Sequence, residues 1–362
     1  MNKLENNLII DVESLGEDVI DNAIPPQDIF AFNESRSCAD LKRMYDKAQI
    51  DISPDFQRER VWKQPAKTRF LDSLLKNLPI PSMCVSLDIK TNKRIVIDGL
   101  QRISTIVEFL QAIEKDDISY TLSTLDDVDD RLSGRNARQI KEQFPEIIEA
   151  IENVSIPVTT LRCDLEKENH MQYIFTIFHR LNTGGTKLNN QEIRNCIFNG
   201  SFNNLLFECS KENEKELRSL LGSDNTRFAY EEFVLRFFAF QDCLNIYKGK
   251  LASFLNNYME DNKDIKDSSI LDLKKKLFHR VVSLVSSKMY TQSVTSKIVL
   301  EAIFYGVGKN IDNLELDSPE LLNKRYHLLM ASKEFSASEL QSGLLQKAKV
   351  ESRLKMAQEV FK

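Results

Sequence analysis

The apolar positions of the N-terminal half change period several times. Cys38, Leu41, Met44, Tyr45 and Ala48 recur at helical spacing behind Asn33, a cap residue, and predict a helix over about 33–49. The next stretch, IDISPDFQRERVWKQP, alternates locally and carries two prolines, which predicts an extended segment. Pro65 opens a second helix, about 65–77, with Phe70, Leu71, Leu74, Leu75 and Leu78 on one face and Pro79 and Pro81 as its stop. Residues 82–89 and 94–98 are β-prone runs joined by KTNK, the pattern of a hairpin. The second run passes straight into DGLQRISTIVEFLQAI, where positions 103, 106, 107, 110 and 113 restore the helical period. A strand, a glycine turn and a helix start therefore meet at Asp98–Arg102. A helix around 136–151 and a strand at 155–163 complete a mixed half.

From residue 166 onward the pattern is helical: 166–180, 189–198, 202–220, 227–247, further segments, and a last helix opened by the capping box Ser336-x-x-Glu339. With 362 residues the length prior is two domains. The expected fold class is α+β, with an acidic leader (1–34), an α/β domain (35–165) and an α-helical domain (166–362). Leu340, Leu344, Leu345 and Leu354 are expected to pack the last helix internally.

Charge matters mainly in where it lies. Residues 1–34 hold one basic and eight acidic side chains, so the net charge of −5 belongs to the leader and the body is near neutral. DNA contact would have to come from a local patch. No apolar run is long enough to span a membrane, and the N-terminus lacks the pattern of a signal peptide, so the expected address is the cytoplasm without a membrane partner. Cysteines 38, 84, 163, 196, 209 and 243 form no C-x-x-C pair, and His170, His179, His279 and His327 form no H-E-x-x-H. A disulfide framework, a zinc site and a His-based metal nuclease are disfavoured, and no metal ligand set is expected. Walker, dinucleotide-binding and G-x-S-x-G motifs are likewise missing from the sequence.

Three stretches carry candidate chemistry. Asp98-Gly99-Leu100-Gln101-Arg102 offers a carboxylate at a strand end, a tight turn, a helix start and a guanidinium, which together suit phosphate; the plainer reading is a D-G turn with a surface ion pair. Asp55-Phe56-Gln57-Arg58 sets an amide and a guanidinium ahead of Trp62, the only tryptophan, or is simple aromatic packing beside a solvated arginine. Arg180-Leu181-Asn182-Thr183-Gly184-Gly185-Thr186 forms a small loop suited to a polyanion, or a helix C-cap. It leads into Asn189-Asn190-Gln191-Glu192-Ile193-Arg194-Asn195, where Asn189 and Glu192 make an N-x-x-E capping box.

Taken together, S-P-D-F-Q-R-x-x-V-W, L-P-I-P, I-D-G-L-Q-R-I-S-T-I and F-H-R-L-N-T-G-G-T-x-L-x-x-Q-E-I-R-N, in that order, resemble the DGQQR-motif domain of GmrSD-type modification-dependent restriction systems. The resemblance covers about 35–245. It implies a ParB/sulfiredoxin-like N-terminal domain that binds and hydrolyses nucleoside triphosphates, with Mg2+, while regulating DNA cleavage. It places Asp98, Gln101 and Arg102 in catalysis and Gln57, Arg58, Gly99, Arg102, Arg180, Asn182, Gly184, Glu192, Arg194 and Asn195 in nucleotide binding. Arg102 and Arg58 are expected to hold phosphates and Asp98 to orient metal or water. Leu100 departs from the motif, where a Gln is usual, and the departure bears on hydrolysis more than on binding. Full-length relatives carry an HNH-type nuclease domain. This chain has no paired histidines and ends about where that domain would begin, so a separate effector nuclease is the expected partner, with DNA. Two further readings stay open: a ParB-like DNA-binding protein without turnover, and a non-enzymatic scaffold. Self-association is equally open.

Overall fold

The computed structural model describes residues 26–52, 62–181, 189–222, 228–289 and 296–362. The chain divides after Leu188 into two compact units, the first a sheet with helices and the second helical throughout its described residues.

In chain order the first unit runs β1 (Phe30–Ser37), α1 (Cys38–Asp46), β2 (Ile50–Asp51), α2 (Gln64–Leu75), β3 (Met83–Asp88), β4 (Arg94–Asp98), α3 (Leu100–Glu114), α4 (Ala137–Gln143), α5 (Pro145–Asn153), β5 (Ser155–Cys163) and α6 (Glu168–Leu181). The sheet order is β1-β5-β3-β4-β2. β5 is antiparallel to β1 and parallel to β3, β4 is antiparallel to β3, and β2 is parallel to β4. One end of the sheet therefore collects the C-termini of β1, β4 and β2 with the N-termini of β3 and β5. Both α1 and α3 start at that end.

The expected hairpin is present as β3 and β4, and the strand at 155–163 is β5. The stretch expected as one helix around 136–151 is two, α4 behind the capping box Asn136/Gln139 and α5 restarted by Pro145. Ile103, Ile106, Val107, Leu110 and Ile113 of α3 are buried and join Leu41 and Met44 of α1, Leu71 and Leu74 of α2, and Val85, Val96 and Val158 of the sheet in one core.

The first helix differs from expectation. Asn33 lies on edge strand β1, paired with Thr159, and the helix begins at Cys38 with the Ser37 side chain as the cap acceptor. Residues 30–34, expected in the leader, are thus part of the sheet. A polar edge strand shows no alternation to read, and Asn and Ser are equally good caps.

The second unit comprises α7 (Asn190–Ile197), α8 (Ser201–Glu212), α9 (Glu214–Leu221), α10 (Ala229–Cys243), α11 (Leu251–Asn262), α12 (Ser268–Lys288), α13 (Lys297–Leu314), α14 (Pro319–Met330) and α15 (Lys347–Val360). α10 and α13 are apolar on nearly every face and form its centre. Phe233 and Phe237 of α10 meet Phe304 of α13 edge-on at 4.9 and 6.3 Å, and Phe237 meets Phe278 of α12 at 5.3 Å. Arg236 and Glu301 form a buried ion pair at 2.5 Å between α10 and α13. Ser336 and Glu339 do not open the last helix. They sit in a turn before Gly343, and α15 starts at Lys347, with Glu339 paired to Lys349. Of the four leucines expected on that helix only Leu354 is on it, fully buried.

Candidate functional site

β4 ends on Asp98, and the chain turns at Gly99 with φ 93°, a left-handed conformation that L side chains avoid. A Cβ at Gly99 would also lie 2.6 Å from Met83 Cγ and 3.1 Å from the Arg102 guanidinium. Glycine is needed here for two independent reasons. α3 follows with no side chain capping its N-terminus, so its first-turn amides and the positive end of its dipole are turned to the sheet end where β4 and β2 terminate.

Arg102 reaches back to this turn. Its Nη2 donates to Asp98 Oδ2 at 2.8 Å and its Nη1 donates to the carbonyl of Pro81, just before β3. The Arg102 side chain is 13% exposed against 41% for Asp98, so the guanidinium lies along the protein and the carboxylate faces outward. Next to it, Gln101 Oε1 accepts the backbone N–H of Trp62 at 2.9 Å, and the Trp62 ring meets Phe70 of α2 edge-on at 5.4 Å. Leu100 turns inward and packs on the core.

A polar row leads away from the turn. By register, Asn33 of β1, Thr159 of β5, Cys84 of β3 and Asp98 of β4 stand side by side across the sheet. Thr159 Oγ1 donates to Asn33 Oδ1 at 2.9 Å and lies 3.3 Å from Ser82 Oγ, and Ser82 follows the Pro81 whose carbonyl Arg102 holds. Neither Ser82 nor Thr159 stood out in the sequence, and Asn33 and Pro81 did so only as a helix cap and a helix stop, because carbonyl acceptors and strand hydroxyls carry no motif.

The opposite end of the sheet holds a histidine cluster of a different kind. The Asp164 backbone N–H donates to His170 Nδ1 at 3.0 Å, so the ring proton sits on Nε2, 2.8 Å from Asp28 Oδ1. Lys167 and His170 hold the Asp28 carboxyl down to about 2. Nε2 thus ties Asp28 to α6, and Nδ1 ties α6 to the first residue after β5.

The structure brings together Asp98, Gly99, Gln101 and Arg102. Arg180 is exposed in the last turn of α6, the helix packed against β4. Gln57, Arg58, Asn182 and Gly184 lie outside the described residues. Glu192, Arg194 and Asn195 belong to α7 of the second unit and are buried there. Asn189 and Glu192 form the expected capping box, with reciprocal bonds of 2.8 Å. Arg194 donates to Asn256 at 2.8 Å and to Gln191 at 3.2 Å, and Gln191 donates to Asn195 at 3.0 Å. This network links α7 to α11 of its own unit.

Among the described residues no group of three or more His, Cys, Asp or Glu side chains is arranged to hold a metal ion, and no helix is long and apolar enough to cross a membrane. All six cysteines are free thiols, four of them buried, and burial pushes Cys38, Cys84, Cys163 and Cys209 up to about 12.

The stretch from residue 41 to residue 199, from α1 through α7, matches the family described as the N-terminal domain of the GmrSD restriction endonuclease. Residues 41–199 are thus similar to that domain. The matched stretch contains the Asp98–Arg102 turn, the Arg180 helix end and the α7 capping box, while β1 and most of the helical unit lie outside it. No curated protein and no solved structure matches the chain.

Proposed function

We propose that this chain is a nucleotide-binding regulatory component of a restriction-type DNA defence system, that its GmrSD domain takes a ParB/sulfiredoxin-like role, and that a separate nuclease does the cutting. The observation that carries the reading is the turn itself: a left-handed glycine, a helix N-terminus without a side-chain cap, and Arg102 laid against both. Such a turn favours a phosphate group, through amide donors, the helix dipole and a guanidinium.

The residues also fit a magnesium-bound triphosphate better than a bare one. Asp98 is half-exposed beside Arg102 and would repel free phosphate. A Mg2+ ion takes one or two carboxylates together with substrate phosphates, which would convert that repulsion into attraction. When bound, the ion would supply charge neutralisation, and Asp98 is the residue that would hold it.

Leu100 favours binding with slow turnover. Its side chain is packed on the core, so the motif offers no polar group at that position to orient a water. Nucleotide would then act as a conformational ligand, and the DNA role would be regulatory. The test is titration calorimetry with ATP, GTP, CTP and UTP in Mg2+, beside phosphate release. At least one nucleotide should bind with release barely above background. Absence of binding by all four at millimolar concentration would refute the reading.

A further inference from the structure

The polar row beside the turn has an arrangement that sheet stability alone does not require. Asn33, Thr159 and Ser82 come from three consecutive strands or strand entries and are linked side chain to side chain at 2.9 and 3.3 Å. Asn33 and Ser82 are exposed and Thr159 is half-buried. The row starts at the residue after Pro81, which Arg102 holds, and crosses from β3 through β5 to β1. From β4 to β1 it covers three strand spacings, about 14 Å.

We infer that this row is the subsite for the sugar of a nucleoside triphosphate whose phosphates lie at the Gly99 turn, an inference that rests on the function proposed above. A ribose presents two neighbouring hydroxyls, each both donor and acceptor. The Thr159 hydroxyl gives its proton to Asn33 and the Ser82 hydroxyl gives its own to the Met83 carbonyl, so both oxygens face a sugar as acceptors for its hydroxyl protons. Asn33 accepts from Thr159 through Oδ1, which leaves its amide NH2 directed elsewhere as a donor. The order along the row is therefore guanidinium, backbone carbonyl, hydroxyl, hydroxyl, amide, a charged end for phosphate passing into a neutral hydrogen-bonding end for sugar. A cross-strand hydroxyl ladder that served only the sheet would have no reason to begin at the arginine's carbonyl partner.

The full chain is titrated with whichever nucleotide it binds, with the 2′,3′-dideoxy form of that nucleotide, and with inorganic tripolyphosphate, all in Mg2+. Thr159→Val, nearly isosteric, should weaken nucleotide binding about tenfold while leaving tripolyphosphate within about twofold. Asn33→Ala should act in the same direction, and the dideoxy nucleotide should bind wild type about as weakly as the full nucleotide binds Thr159→Val. Melting curves accompany each variant. Equal loss for nucleotide and tripolyphosphate, or no loss for either, overturns the sugar subsite. If tripolyphosphate binding disappears in Arg102→Ala while Thr159→Val is silent, the phosphate reading stands and the sugar subsite alone falls. If wild type binds neither nucleotide nor tripolyphosphate, both fall.

Discussion

Arg102 spans one helical turn to meet Asp98 at 2.8 Å, and the same guanidinium holds the carbonyl of Pro81. The pair closes the strand-to-helix turn from both sides, so whatever enters must share Arg102 with a carboxylate. Asp98→Asn removes that competitor. Without divalent ions the variant should bind triphosphate about three- to tenfold more tightly than wild type, because a repelling charge is gone. With Mg2+ the order should reverse, since the ion loses its carboxylate. Weakening under both conditions would mean that Asp98 serves only to aim Arg102.

Gly99 carries a conformational burden that no other residue takes without strain. Gly99→Ala places a side chain at φ 93° and a Cβ within 2.6 Å of Met83 Cγ, and should cost about 2–4 kcal/mol. Urea unfolding followed by circular dichroism measures this. A change under about 0.5 kcal/mol would show that the turn relaxes freely.

This turn was legible in the sequence because strand period, glycine and helix period abut without a gap. The hairpin of β3 and β4 and strand β5 were legible for a similar reason, being buried β-prone runs. Edge strand β1 was not: all eight residues of FAFNESRS are at least partly exposed, and polarity there follows the solvent rather than the pleat. β2, two residues long, is set by its neighbour β4 alone. At the site, Arg102 and Gly99 were visible as residue types. Pro81 and Trp62, noted in the sequence for other reasons, enter the site through backbone atoms, and Ser82 and Thr159 through strand register, contacts that only three-dimensional pairing reveals. Arg194 and Asn195 show the converse. Motif position marks them as candidate ligands, and their contacts include Gln191 and Asn256 within the helical unit, which motif position does not reveal.

In the helical unit, the Arg236–Glu301 pair is buried on both sides, at 6% and 5% exposure. Arg236→Met strands the Glu301 charge in the core and should cost about 3–5 kcal/mol, whereas Arg236→Met with Glu301→Leu should cost less than either single change. Denaturation of the four members of this cycle decides the matter. Additive losses would contradict it.

Asp28 gives the fold a measurable acid limb. Its carboxyl is held at about 2 by Lys167 and His170, below its ordinary value near 3.8, so its contribution is present in full above that ordinary value and is lost as pH falls toward 2. Stability of wild type and Asp28→Asn should differ at pH 6 and converge between about pH 4 and 2. A difference independent of pH over that range would show that the carboxylate's charge is not what ties the N-terminal segment to α6.

The central claim is that the Gly99 turn and Arg102 hold phosphate, and calorimetric titration of wild type, Arg102→Lys and Arg102→Ala with nucleoside triphosphate and Mg2+ tests it most directly. Arg102→Ala should lose binding by a factor of about a hundred or more, with Arg102→Lys intermediate, since a point charge replaces a fork of donors. All three should unfold as cooperatively as one another. Wild-type affinity in a folded Arg102→Ala protein would contradict the account.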